Sequence, residues 1–483
     1  MTEPDRTASL LTTVARYSEQ YVRDGRADST RVEADRDRLR ADFVRPLPRR
    51  GEEPHDVVSE LVSRGEPGLL HSGAPTFVGF VMGGAYPVAV ATEWLTSVWD
   101  QCGALYATSP VASVVEETVT RWLIDLFGLP SGVSVGVTTG CATANLTGLA
   151  AARHAVLAAA GWNVDDDGLI GVPAPRILVS KGCHVTVTRA IRLLGMAGQV
   201  YPVEVDDQGR MSLPAFTDRL DSTSGPLIVC AQVGNVDSGS VDPLVDICRL
   251  THERGGWVHV DAAFGMWAAA GPTVRRHVSG LAAADSWATD AHKWLNVPYD
   301  CGIALCAHPE AHRAALRTSA EYLTVATDGD RDPVDYSPDM SRRARSLVLW
   351  ATLRHLGRDG VAELIDRCCR LARELASNLD GEAGITVVNE VVLNQVLVRF
   401  DPPDGDAAGH LSRVVAAVQQ CGTGRASPTT WFGRPTLRLS LCNWQTDRAD
   451  IDRILAALVG AHREATTQHE TVLLEEFVCP LPM

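Results

Sequence analysis

Apolar positions recur along this chain with two distinct periods. In SPVASVVEETVTRWLIDLFGLP, Val111, Val115, Val119, Trp122 and Leu126 follow one another at steps of three and four, which predicts an amphipathic helix. Ser109-Pro110 suits its N-cap and first turn, and Gly128 with Pro130 stops it. Val135 to Thr139 is a short β-branched run that meets Gly140, and a small-residue helix is expected from Ala142 to roughly Ala159. Then come runs that are apolar throughout: Arg176–Ser180 (RILVS), Gln199–Val205 (QVYPVEV), Leu227–Val233 (LIVCAQV) and Trp257–Val260. Helical stretches separate them, among them one near Ser212–Leu220. Unbroken apolar strands alternating with helices predict an α/β fold with a parallel sheet covered on both faces.

The flanks read differently. Leu10, Val14, Tyr17 and Tyr21 lie at helical spacing within a charged N-terminal region, an expected helical arm that ends at FVRPLPRRGEEP. Residues 71–87, HSGAPTFVGFVMGGAYP, keep neither period, and so apolar a loop needs a partner subunit or a substrate pocket to bury it. Phe80 and Tyr86 lie in it. Asp300–Cys306 is expected as one more strand, TVATDGDRDPVDYSPDM as a long loop, and SRRARSLVLWATLRHLG and VAELIDRCCRLARELASNL as helices. From about residue 384 the pattern becomes Ile385–Val388, Gln395–Phe400, a helix near Ala407–Cys421, Pro435–Ser440 and a last helix Asp450–Ala465. The expected division is an N-terminal arm (1–85), a large domain (86–383) and a small C-terminal α+β domain (384–483).

Composition narrows the function classes. The 483 residues are 45% hydrophobic and 21% charged, which is ordinary for a globular chain, and the net charge of −15 disfavours nucleic acid and membrane surfaces. Twelve cysteines occur without a CxxC, so buried thiols of a reducing compartment are expected rather than disulfides or zinc. MTEPDRTASLL lacks a secretory pattern, and no apolar run approaches the ~18 residues of a membrane span. A cytoplasmic protein is expected.

The chemistry gathers between Trp257 and Leu295. A buried strand ends by presenting Asp261, a helical interval follows, and DSWATDAHKWL places Lys293 in a loop. A lysine amine and a strand-end carboxylate are what pyridoxal phosphate requires: the amine forms a Schiff base with the aldehyde, and the carboxylate holds the ring nitrogen protonated. The Gly140 turn before a helix is either an anion site for the phosphate or a tight helix–strand contact. Chain order puts this turn, His184, Asn235 and Asp261 at or near the carboxyl ends of strands, where open α/β sheets bind ligands. There His184, in a polar loop with Lys181 and Cys183, suits stacking on a cofactor ring. Competing motifs fail. GVSVG at 132–136 precedes its strand instead of following one, as a nucleophile elbow must, and no GxGxxG follows a strand. No His/Cys cluster has zinc spacing, so no metal is expected.

SPVASVVEETVTRWL, TTGCATAN, the His184 segment, VDSGSVDP, HVDAAFG, DAHKW, EYL with SRRARSLVLW, and LRLSLCNWQTD occur in this order. Together they resemble the group II pyridoxal-phosphate-dependent decarboxylases, which include aromatic amino-acid, glutamate and diaminobutyrate decarboxylases, and most of all their bacterial branch. The resemblance runs from about residue 50 to about 465. It implies a fold-type I, aspartate aminotransferase-like enzyme that decarboxylates an L-amino acid or an amino-acid conjugate through a Schiff base and a quinonoid intermediate. It also implies a homodimer with the active site at the subunit interface. Lys293 would carry the cofactor, Asp261 would pair with the ring nitrogen and the small Ala263 would let the ring lie close. His184 would stack on the ring, Cys141, Ala142 and His292 would contact the phosphate, and Asn235 would lie near the ring. Tyr322 would protonate the substrate carbon, and Phe80, Tyr86, Ala104 and Tyr322 would face the substrate. Relatives with phenylalanine in place of Tyr322 tend to make aldehydes with O₂, so oxidative deamination is the alternative outcome, with β-elimination from a cysteine-like substrate a second. Cys141 and Thr143 stand where many relatives have Gly or Ser and Glu. Gly234–Val236 (GNV) stands for GTT, and Ala104 for a large aromatic. The last two argue against an ordinary aromatic amino acid as substrate.

Overall fold

The computed structural model describes residues 2–24, 30–317, 331–403 and 405–477. Strands β1 (Ser134–Thr138), β2 (Arg176–Ser180), β3 (Val200–Val203), β4 (Leu227–Gln232), β5 (Trp257–Asp261), β6 (Ser286–Asp290) and β7 (Gly302–Cys306) form one sheet in the order β1-β7-β6-β5-β4-β2-β3. Pairs from β6 to β3 are parallel, while β7 is antiparallel to both β6 and β1. The carboxyl ends of the other strands therefore share one edge with the start of β7. Side chains alternate between two cores, as the pleat requires. Leu178, Val229 and Ala231 enter one apolar cluster, and Ile177, Val179, Ile228 and Cys230 enter another with Leu149 and Leu157 of the Cys141–Ala159 helix. Burial on both faces explains why these strands read as unbroken apolar runs.

Two local expectations are corrected, and one strand is added. The interval between Phe264 and Ala284 is not one helix but short 3₁₀ turns, Gly265–Ala270, Arg275–Val278 and Leu281–Ala283, because Gly271-Pro272 and Gly280 interrupt it. Strand β6 follows directly, and all five of its residues are buried although only Trp287 is large and apolar. Lys293 thus stands three residues beyond a strand end. The helix expected from Ser341 begins at Ser346, since Arg342 pairs with the buried Glu116 and Arg345 Nε donates to Asp300 Oδ1 at 2.8 Å. That helical run, Ser346–Asp380, breaks at Gly357, whose φ of 62° lies in the left-handed region.

A second sheet combines β8 (Ile385–Val387), β9 (Gln395–Phe400), β10 (Ser427–Trp431) and β11 (Arg434–Ser440) in the antiparallel order β10-β11-β9-β8. Sequence pattern misses β10, an edge strand in which a proline and two threonines are tolerated because only one side pairs. Val396, Val398, Leu437 and Leu439 pack on the Ala407–Cys421 and Arg448–Phe477 helices through Val414, Ile451 and Leu458.

Residues 71–87 run between the two sheets. Phe77 and Val78 are buried, Ser440 N–H donates to Val78 O at 2.9 Å, and Tyr86 N–H donates to Asn296 O at 2.9 Å. Much of this apolar loop is therefore covered by its own chain rather than by a partner or a substrate. Phe80 is the exception, 54% exposed at a left-handed φ of 53°. Among the described residues no disulfide forms, and no helix is long and apolar enough to cross a membrane.

Candidate active site

The shared strand edge brings four chain segments to one place. β5 ends in Asp261, β6 ends in Asp290, and Gly302 at the start of β7 pairs with both Thr138 and Asp290. The Cys141–Ala159 helix starts just beyond Thr138. A Cβ added to Gly302 would lie 2.4 Å from the backbone of Gly140, so the turn into this helix is pressed directly against β7. Of the two readings of the Gly140 turn, close packing is therefore present. At the start of the helix the Cys141 N–H donates to a carboxylate of this chain, Asp290 Oδ1, at 2.6 Å.

Asp290 is the hub. Its Oδ2 lies 3.0 Å from Lys293 Nζ, and its Oδ1 lies 3.6 Å from His292 Nε2. Burial pulls the lysine pKa down, but contact with Asp290 and the nearby Asp261 outweigh it and hold the amine above its ordinary range. Asp261 Oδ1 accepts from Ala263 N–H at 3.2 Å and from the Cys141 thiol at 3.5 Å. That thiol stays protonated: burial, with Asp261 and Asp290 beside it, pushes its pKa well up. His184 is half-buried, and its Nδ1 lies 2.8 Å from Thr186 Oγ1. Burial, reinforced by Lys293 and Arg438, outweighs Asp261 and Asp290 and holds this imidazole below its ordinary value. Burial does the same to His292, whose Nδ1 lies 2.9 Å from Cys301 O.

Lys293, Asp261, His184, His292, Cys141 and Ala263 thus converge, with Ala142 exposed on the first turn of the helix. Ala263 and Cys141 belong to a small-residue cluster with Ala144, Ala288 and Ala304. The remaining candidates stand apart. Asn235 is buried; its Oδ1 serves its own loop, accepting from Asp237 N–H at 3.0 Å and Ser238 N–H at 3.2 Å, while its Nδ2 donates to Gly182 O at 3.4 Å, two residues before His184. Tyr86 is buried against Trp444, with ring centroids 4.7 Å apart, and reaches the lysine loop through Asn296. Ala104 is buried, and its carbonyl accepts Val334 N–H at 2.9 Å. Tyr322 lies outside the described residues.

Sequence reasoning missed the roles of Asp290 and Asn296. The signal for Asp290 was an acid three positions before the lysine in DAHKW. Asn296 had no local signal. At a left-handed φ of 57°, its Nδ2 donates to Trp294 O at 2.7 Å and to Cys442 O at 2.9 Å, and its Oδ1 accepts from Trp444 N–H at 3.0 Å.

The donor set fits pyridoxal phosphate. A Cβ at Gly140 would meet His292 Cε1 at 3.5 Å and Asp290 Oδ1 at 3.6 Å, so the glycine leaves a cradle between the helix N-terminus and His292. With both of its short contacts on Oδ1, Asp261 keeps Oδ2 available to a ring nitrogen.

Comparison with known proteins agrees with this fit. A family model, the pyridoxal-dependent decarboxylase conserved domain, matches residues 38–401. The L-2,4-diaminobutyrate decarboxylase of Rhizobium meliloti (strain 1021) is 31% identical over 446 residues, which cover 89% of this chain and 86% of that protein. The aromatic-L-amino-acid decarboxylase of Bacillus atrophaeus is 25% identical over 450 residues, 91% of this chain and 92% of that one. The crystal structure of Oryza sativa TDC with PLP and tryptamine has a TM-score of 0.89 at 22% identity, covering 96% of this chain and 100% of that one, a likeness of fold.

Proposed function

The chain belongs to the pyridoxal-dependent decarboxylase family and is a fold-type I, pyridoxal-phosphate-dependent carboxy-lyase, and from that premise we propose that it decarboxylates an L-amino acid or amino-acid conjugate to an amine as a cytoplasmic homodimer. The observation that carries this reading is Lys293 Nζ, buried 3.0 Å from Asp290 beside both Asp261 and the helix N-terminus. The two chains of the dimer would meet around the site. The functional units would be the arm (1–85), the cofactor domain (86–383) and the C-terminal domain (384–483).

When bound, pyridoxal phosphate supplies an electron sink for the pair left by the departing carboxylate. Lys293 Nζ would hold its aldehyde carbon and Asp261 would keep a proton on the ring nitrogen, by attraction between opposite charges. The backbone N–H of Ala142, and that of Cys141 once exchanged from Asp290 Oδ1, would hold the phosphate with His292. Nζ must shed its proton before it can attack, and Asp290 Oδ2 is the atom beside it that holds that proton in place. His184 would cover one face of the ring and Ala263 would allow close approach at the other. Asn235 would shape the rim. Phe80, Tyr86 and Ala104 would bound the substrate, and the small Ala104 favours a substrate other than an ordinary aromatic amino acid. Tyr322 would return a proton to the substrate carbon.

Lys293→Ala should abolish the visible absorbance of the bound cofactor and all amine formation from a pooled set of amino acids and conjugates, with products read by mass. A borohydride-reducible adduct persisting in this variant would overturn the assignment. Tyr322→Phe should retain the absorbance and shift products from amine to aldehyde, whereas an unchanged amine yield removes Tyr322 from the donor role.

A further inference from the structure

A chain of hydrogen bonds, partly buried at His184 and fully buried beyond it, runs along one face of the large sheet from His184 to Trp257. His184 Nδ1 lies 2.8 Å from Thr186 Oγ1, and Asn145 Nδ2 donates to the same oxygen at 3.2 Å. Asn145 Oδ1 lies 2.9 Å from His259 Nε2, and His259 Nδ1 lies 2.8 Å from Ser286 Oγ. Trp257 Nε1–H ends the series by donating to Ser286 Oγ at 2.9 Å. Asn145, His259 and Ser286 are almost fully buried, and a Cβ on Gly148 would come within 2.7 Å of the His259 ring, so the path admits no slack. Burial pushes the His259 pKa down to about 3, so this ring is neutral and carries one N–H.

A hydroxyl oxygen can accept two hydrogen bonds, so Thr186 Oγ1 could also accept from both Asn145 and His184; apart from that mixed case such a chain has two self-consistent polarities. In one, every proton points toward His184: Ser286 O–H to His259 Nδ1, His259 Nε2–H to Asn145 Oδ1, Asn145 N–H to Thr186 Oγ1, and Thr186 O–H to His184 Nδ1. In the other, every donor is reversed and His184 carries its proton on Nδ1. Two contacts outside the chain choose between them. The Thr186 backbone N–H points at His184 Nδ1, 3.4 Å away, which requires a lone pair there. The Cys141 thiol donates to Asp261, so its sulfur is an acceptor for Asn145 Nδ2, 3.7 Å away, which fixes the amide orientation.

We propose that Thr186, Asn145, His259 and Ser286 form a positioning relay that holds His184 as the neutral imidazole protonated on Nε2. The Nδ1 lone pair is occupied, so a second proton can bind only by breaking the Thr186 bond. The charged groups around His184 are Asp261, Asp290, Lys293 and Arg438. A neutral ring can lie against a protonated pyridine without like-charge repulsion, which a cationic one cannot. This last consequence rests on the cofactor role proposed for His184; the tautomer itself does not.

The holoenzyme with isotope-labelled histidine nitrogens tests it, the His184 signals being those lost in His184→Gln. The native protein should show Nε2 protonated and Nδ1 as an acceptor near neutral pH. In Thr186→Val the freed Nδ1 should take a proton more readily, raising the His184 titration midpoint by about one pH unit. Thr186→Ser, which restores the hydroxyl, should restore the native midpoint. A native signal protonated on Nδ1 overturns the proposal, and so does a Thr186→Val titration that matches the native one. Should Thr186→Val fail to fold, the native tautomer decides alone. Loss of cofactor absorbance on a separate sample reports on Lys293, so the two readings fail independently.

Discussion

Strands β5 and β6 carry an aspartate–histidine arrangement at each end, and the two behave oppositely. At the carboxyl edge, Asp261 and Asp290 are buried with Lys293, and His184 and His292 are held below their ordinary pKa by that burial. At the other end, Asp285 lies between two half-exposed histidines: its Oδ1 is 2.8 Å from His308 Nε2 and its Oδ2 is 2.9 Å from His252 Nε2. Val258 N–H also donates to Oδ2, at 2.7 Å. Here the bond to Asp285 raises the His308 pKa, and although burial opposes it, His308, the Val258 N–H and His252 lower that of Asp285. The residue types match, but the solvent does not. Where the His308 ring reaches water, the carboxylate draws a proton onto the imidazole; where His184 and His292 are withdrawn from water near Lys293, the imidazole stays neutral. One end suits the charge of the cofactor proposed to bind there, while the other holds charge within the protein.

Exchanging a carboxylate for an amide at each end tests that contrast. Asp261→Asn should lower kcat by roughly 10²–10³-fold while the melting temperature stays close to native, because the role proposed for the carboxylate is on the ring nitrogen rather than in packing. Steady-state kinetics at saturating cofactor, with a melting curve, check this; near-native kcat would break the comparison. Asp285→Asn should do the reverse, leaving kcat native and costing about 1–2 kcal/mol in denaturant unfolding.

That cost should depend on pH. The folded pKa of Asp285 is depressed, so its contribution is present above the unfolded carboxylate value and is lost as pH falls through the folded one, below about 4. The folded pKa of His308 is raised, so its contribution is complete below about 6.5 and is lost as pH rises through the folded value above that. The stability gap between native and Asp285→Asn should therefore be widest from about pH 4 to 6.5. Because His308 is half-exposed, the gap should narrow by only a few tenths of a kcal/mol toward pH 8. A gap that is flat or widening with pH would show that the imidazolium adds nothing.

The cofactor end was the more legible of the two in sequence. Asp261 closes an unmistakable apolar strand, and Lys293 lies in a motif whose polar and apolar flanks mark a strand-end turn. Period and composition could not reveal β6, because Ser-Trp-Ala-Thr-Asp is buried by its neighbours and not by its own hydrophobicity. Nor could they show that Arg342 and Arg345 would be drawn to Glu116 and Asp300, which delays the following helix to Ser346. Asp285, His252 and His308 carry no signal at all in one dimension, since 33 and 23 positions separate the histidines from the aspartate they share. Asn145 was hidden for a different reason: a small polar residue in a small-residue helix looks like packing until its partner on the facing strand, His259, is known.

Asn296 sets an order of events. Two of its partners, Cys442 and Trp444, come 146 and 148 residues later in the chain. During synthesis this clamp on the lysine loop therefore stays open until residues 442–444 have left the ribosome, although the bond from Asn296 Nδ2 to Trp294 O can form earlier. A nascent chain that ends before β11 can pair the first seven strands yet still lack the clamp behind Lys293. Variants truncated before Cys442 should therefore accumulate without the colour of bound cofactor, which the absorbance of the purified chain checks.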